Sequence, residues 1–181
     1  MVTLPVAYGV FGYGTAALTY GLYLLTGFPR AENPEEARRV RASLVANGFC
    51  FGGIAQFVTG LLLFVFFDDI VGATTFAIFG VLWTAIWLND YFNLDPRALT
   101  YLDIAIAIWC FFAGIWNCML GHPVVGVLLW SIMVLVIILS FHHAKGIWGK
   151  AAGAVALENA ILCYYIVVAV IFTKLGYPLP F

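Results

Sequence analysis

Two side chains in an otherwise lipid-soluble stretch raise the question of chemistry. In ALENAILCYYIVV, residues 156–168, Glu158 and Asn159 stand side by side with no cation within a helical turn. Deep in an apolar span a carboxylate is costly unless it meets water or a partner. Three roles fit Glu158: the wall of a solute path, a hydrogen-bond hub between helices, or a proton-coupling group. Val155, Leu162 and Tyr165 share its helical face. That face therefore sets one strong acceptor beside an aliphatic and aromatic wall. A second isolated polar group is Gln56, in the middle of NGFCFGGIAQFVTG, residues 47–60. It needs a partner inside the bundle or contact with water.

The remaining reactive residue types are sparse. Asp103 lies near the start of an apolar run, where it could snorkel or pair with Arg97. His142 and His143 end another run and read as interfacial and solvated. A HisHis pair with no carboxylate or cysteine nearby in sequence is a weak metal signal. Cys50, Cys110, Cys118 and Cys163 form no CxxC pair. They read as small polarizable packing residues, with no disulfide framework or metal site. No Walker motif, nucleophile elbow or HExxH is present. The expectation is a protein without catalysis, cofactor or metal.

The elements that must hold these groups follow from composition. The 181 residues are 64% hydrophobic, 17% aromatic and 9% charged, with mean hydropathy +1.03. Soluble domains are about 25% charged, so this composition implies a polytopic membrane protein embedded in a lipid bilayer. Net charge is −1, with no basic tail, which excludes a nucleic-acid partner. The N-terminus lacks a positive n-region and runs straight into an apolar run, so no cleavable signal is expected. Apolar runs near 4–26, 43–67, 71–89, 98–120, 124–142 and 151–173 predict six spans in one all-α domain over 1–181.

The first loop, GFPRAENPEEARRVRAS, predicts a short helical lead-in to the second span. Asn33 is placed as an N-cap and Pro34 as the first helical residue. Glu35 and Arg39 then fall at i,i+4. Arg30, Arg38, Arg39, Arg41, Arg97, Lys145 and Lys150 flank the odd-numbered loops, and only Lys174 lies opposite. The positive-inside rule predicts those loops in the cytoplasm and both termini outward. Gly48, Gly52, Gly53 and Gly60 predict close helix packing. Phe79, Trp83 and Trp130 sit deeper than an interfacial aromatic belt and are candidates for an internal lining.

These residues carry a resemblance. FGVLWTAIWLNDYFNLDPRALTYLDIAIA, residues 79–107, resembles the AmiS/UreI family of urea and amide channels through Phe79-Gly80, Asn89, Phe92 and Leu94-Asp95-x-Arg97. The Trp130-to-Glu158 spacing is similar to that family's, in which a span-five tryptophan and a span-six glutamate face the pore. NGFCFGGI and, more loosely, YGTAALTYGLYLLTG extend the likeness. It implies six helices, external termini and a homohexamer in the cell's inner or plasma membrane, with one pore per protomer. Val134 stands where some members have a second tryptophan, and Trp83 where a tyrosine is expected, so the slot can differ in width. The long acidic, histidine-rich outer loop of acid-gated members has no counterpart here.

FGGIAQFVTGLL and VGATTFAIFGVLW are similar to the acetate/succinate transporter family. PVAYGVFG only partly matches its span-one signature. That resemblance implies a hydrophobic constriction of Phe11, Phe79 and Ile132, and a monocarboxylate channel or proton-coupled transporter. A fixed Glu158 carboxylate in the path would oppose acetate. The main expectation is therefore a passive channel for small neutral polar solutes, urea or short-chain amides. Phe79, Trp83 and Trp130 would flank the solute, and Glu158 would accept its N–H groups with help from Gln56 or Asn159. A non-transporting scaffold, with Glu158 in helix packing, is the other alternative.

Overall fold

A computed structural model describes residues 4–28 and 30–179. It is 87% helical, with no strand among the described residues. The helices are α1 (Leu4–Thr26), α2 (Pro34–Asn47), α3 (Ala55–Phe67), α4 (Ile70–Phe92), α5 (Leu99–Met119), α6 (Pro123–Lys145) and α7 (Gly149–Lys174). A π-helical turn, Gly48–Ile54, joins α2 to α3 without a break, and a 3-10 turn, Pro96–Ala98, leads into α5.

The predicted lead-in helix is present. Asn33 caps α2, its Oδ1 accepting from the Glu36 amide at 2.9 Å, with Pro34 in the first turn. Arg39 reaches Glu35 at 2.6 Å. The lead-in does not end before the apolar run at 43. It continues through the π turn as one stretch, Pro34–Phe67.

That stretch is one of five among the described residues that are long and apolar enough to cross a membrane. The others are Ile70–Phe92, Pro96–Met119, Pro123–Lys145 and Gly149–Lys174. Such a set is consistent with a polytopic membrane protein. The 23-residue α1 has the length, but its glycines, threonines and tyrosines dilute its hydropathy. The outward faces are apolar: Leu61, Phe64, Ile108, Phe112 and Ile161 are all exposed, as lipid contact would require.

Short connections make neighbouring helices antiparallel. Asp69 caps α4, its Oδ1 accepting from the Gly72 amide at 2.8 Å. Asp68 before it turns the chain in the left-handed region, φ 50°. Asp68–Asp69 and Leu120–His122 therefore share one end of the bundle, here the short-loop end. The C-terminus of α1, the N-terminus of α2 and the connections 93–98 and 146–148 share the other, the basic end. The most intimate pairing is α1 with α7. A Cβ on Gly153 would stand 2.8 Å from the Gly21 carbonyl oxygen, so only glycine permits that approach.

Candidate functional site

Two cavities lie along α1, one at each end of the bundle. The first, about 120 Å³, reaches the short-loop end, where Asp69, Asn117 and His122 line it. The second, about 520 Å³, reaches the basic end, where Arg41, Asp90, His142 and His143 line it. Tyr13 lines both, so its side chain forms the partition between them.

The partition is aromatic and aliphatic. Tyr13 is 4% exposed. Its ring centroid lies 5.5 Å from that of Phe79 on the first cavity's side. The Trp83 ring lies 6.3 Å away on the second cavity's side. Ile132 belongs to the first cavity's wall and Val136, one turn on, to the second's. The Trp83 indole is seated on the π turn. A Cβ on Gly52 would collide with it, and the Tyr20 ring packs against it, centroids 5.2 Å apart. The π turn therefore has a local purpose: it presents Gly48 and Gly52 as a bed for that ring.

Polar groups near the partition are neutral amides and hydroxyls. Gln56 is fully buried and donates from Nε2 to the Gly9 carbonyl at 2.9 Å. Asn159, also fully buried, places Nδ2 3.4 Å from the Tyr13 hydroxyl. Gln56 Oε1, Asn159 Oδ1 and Trp83 Nε1 have no protein partner. A buried polar atom left unpaired costs about 1–3 kcal/mol, so a solute or water that satisfies it is favoured there.

The expected site residues thus divide. Phe79 and Ile132 line the first cavity with Gln56, Trp83 lines the second, and Asn159 reaches the partition through Tyr13. Phe11, Trp130 and Glu158 line neither. Phe11 is 42% exposed and packs beside Tyr164. Trp130 lies between α5 and α6 over Gly114, its Nε1 donating to the Phe111 carbonyl at 3.3 Å.

Glu158 is exposed on the outer side of α7, which corrects its expected burial. The reason is helical phase. The buried stripe of α7 runs through Ala152, Ala156, Asn159, Cys163, Ile166 and Val170. Successive residues lie about 100° apart around a helix, so the stripe that takes in Asn159 leaves Glu158 outside. The small-residue spacing 152, 156, 160, 163 carries that signal in the sequence.

Asp103 is corrected in the opposite sense. It neither snorkels nor meets Arg97, which pairs with Asp95. Its side chain is fully buried, and Oδ2 lies 2.7 Å from His143 Nδ1. The two histidines are accordingly part of the second cavity's wall. Tyr13, Tyr20, Arg41 and Asp90 were not singled out from sequence, because tyrosines at membrane depth resemble interfacial anchors and loop charges resemble solvated ones.

These helices and cavities describe an all-α bundle, consistent with a polytopic membrane protein, with a polar-tipped cavity toward each end. No family model matches the chain, and no curated protein matches it.

Proposed function

We propose that the chain is a passive membrane channel for small neutral polar solutes, urea or short-chain amides, crossing each protomer along α1. The observation that carries this reading is the pair of cavities toward opposite ends that meet at Tyr13. Charged side chains gather at the two mouths, while the partition offers aromatic faces and neutral hydrogen-bonding groups. A solute crossing bare hydrocarbon loses its hydrogen bonds at a cost of several kcal/mol. Gln56, Tyr13, Asn159 and Trp83 would replace some of them. Hydrated ions would find no substitute for their shells at Phe79, Ile132 and Trp83. Brief opening of the Tyr13 partition would admit one solute at a time.

In this reading α1 joins the five apolar stretches as a sixth span, with Tyr8, Phe11 and Leu22 on its outward face. The basic end faces the cytoplasm and both termini face outward, by the loop charges. A homohexamer in the inner or plasma membrane follows from the AmiS/UreI resemblance. The test is solute flux in proteoliposomes. Saturable or facilitated acetamide and urea flux, without counter-ion dependence, supports the channel. Flux equal to that of protein-free vesicles overturns it.

A monocarboxylate path is the second reading, and one observation favours it. Glu158 lies off both cavities, so no fixed carboxylate stands at the partition to repel acetate. Arg41, moreover, lines the second cavity. Acetate uptake that grows with an imposed proton gradient, with no amide flux, would select this reading.

A further inference from the structure

Seven buried side-chain polar atoms among the described residues lack a protein partner, and three belong to residues that line the cavities: Gln56, Trp83 and, at the basic mouth, His142. The first two flank Tyr13 from opposite sides. The chemistry of each is fixed. A peptide carbonyl can only accept, so the bond from Gln56 Nε2 to Gly9 sets the amide's orientation and leaves Oε1, an acceptor, free. An indole Nε1–H can only donate. Buried tryptophans normally find an acceptor, and here even two half-buried ones do. Trp109 donates to Thr75 Oγ1 at 3.0 Å and Trp130 to the Phe111 carbonyl. Trp83, only 7% exposed, does not, although Gly48, Gly52 and Tyr20 hold its ring.

Resting on the channel reading, we infer that Gln56 and Trp83, whose unpaired atoms are closed off in this structure and come within reach when the Tyr13 partition opens, are two successive docking stations of opposite polarity: Gln56 Oε1 takes the N–H of a solute on one side of Tyr13, and Trp83 Nε1–H donates to its carbonyl oxygen on the other. The class selected is the unsubstituted amide or urea, which carries N–H and C=O on one small planar frame. A ketone or carboxylate has nothing to give Gln56. A solute with a poor acceptor gains little at Trp83. The Tyr13 hydroxyl, held by Asn159, hands the solute from one station to the other.

The test compares urea with thiourea, which keeps the N–H donors and replaces the carbonyl oxygen by sulfur, a weaker acceptor. Flux is measured in proteoliposomes for the unmutated chain and for Trp83→Phe, which keeps an aromatic ring and removes the donor. The expected result is a fall of about fivefold for urea, the loss of one hydrogen bond, with thiourea changed much less. Equal effects on both solutes, or none on either, with the unmutated chain still conducting, overturn the two stations and leave the channel standing. No conduction by the unmutated chain overturns both. Should Trp83→Phe fail to fold, the unmutated protein labelled with ¹⁵N at its indoles decides. Urea should move one indole N–H resonance saturably, and thiourea, the weaker acceptor, should move it less. No resonance moving with urea overturns the assignment.

Discussion

The Nδ1 of His143, near the end of α6, lies 2.7 Å from Oδ2 of Asp103 on α5. The carboxylate has no exposed surface and the imidazole little, so this bond replaces water for Oδ2 and Nδ1, while Asp103 Oδ1 has no protein partner. Breaking a buried hydrogen-bonded pair from one side leaves the remaining polar group unsatisfied, at a cost of about 1–3 kcal/mol. Thermal unfolding in detergent should therefore rank His143→Leu as severely destabilised. The double variant Asp103→Leu with His143→Leu should recover much of the loss, because no unpaired polar group is left behind. A double variant as unstable as the sum of the two single variants would mean that the pair does not interact.

The loop before α5 allows a pH prediction. Three nitrogens of Arg97, including its backbone amide at 3.0 Å, address the Asp95 carboxylate. The side-chain hydrogen bond from Arg97 is the main cause that pushes Asp95 down to about 2 from 3.8. With the folded value depressed, the bond's contribution is complete above pH about 4 and is lost as pH falls through about 2. Because the pair is exposed, the effect on global stability is small. Carboxyl ¹³C titration should show the low value, and Arg97→Gln should raise it part of the way, since the backbone donor remains.

Helix existence was legible from the apolar runs, and α1 begins and ends where its run does. Caps were legible too, because Asn33 and Pro34 are local signals whose partners lie within one turn. What escaped was anything set by azimuth or by a distant partner. Glu158 drew attention by its charge, yet the buried stripe of α7 is written in its small residues. Asp103 was offered Arg97 from its own loop, whereas its partner sits 40 positions away. The π turn had no sequence signal beyond its glycines, which also suit ordinary helix packing.

Tyr13 as the partition predicts a size effect. Tyr13→Ala should open the two cavities into each other and admit larger amides, such as butyramide. The expected rise is roughly tenfold, as a barrier about 1.4 kcal/mol lower would give. Tyr13→Phe should leave the size limit in place while stranding Asn159 Nδ2, for a stability loss of about 1 kcal/mol. Stopped-flow vesicle swelling with a homologous series of amides reads the first effect and thermal unfolding the second. An unchanged size cut-off in Tyr13→Ala would remove Tyr13 from the path.

Gly52 should be intolerant of side chains for a reason specific to Trp83. A Cβ there overlaps the indole, and both the ring and the π turn are held by neighbours. Gly52→Val must therefore displace Trp83 toward Tyr13 and Tyr20, with a loss of about 1–3 kcal/mol from overpacking and a fall in solute flux. The double variant Gly52→Val with Trp83→Ala should regain thermal stability relative to Gly52→Val alone, because the smaller side chain vacates the overlapping volume. No recovery would place the glycine's importance in the π turn's backbone instead.

Glu158 and Asn159 differ by one position and should differ in kind when mutated. Asn159 is enclosed and reaches Tyr13, so Asn159→Leu removes a polar partner at the partition and should lower amide permeability severalfold. Glu158 stands on the outside of the bundle, where a carboxylate at membrane depth is costly against lipid alone. Contact with a second copy of the chain would relieve that cost. Glu158→Gln should consequently leave permeability per particle within about twofold and, if the proposed hexamer forms, act on its persistence in detergent, since hydrogen bonds to a charged group are worth about 1.5–3 kcal/mol. Flux normalised to oligomer mass, with light scattering on the same preparation, separates the two. A large drop in flux from an intact oligomer would return Glu158 to the solute path and require a pore that the two cavities along α1 do not supply.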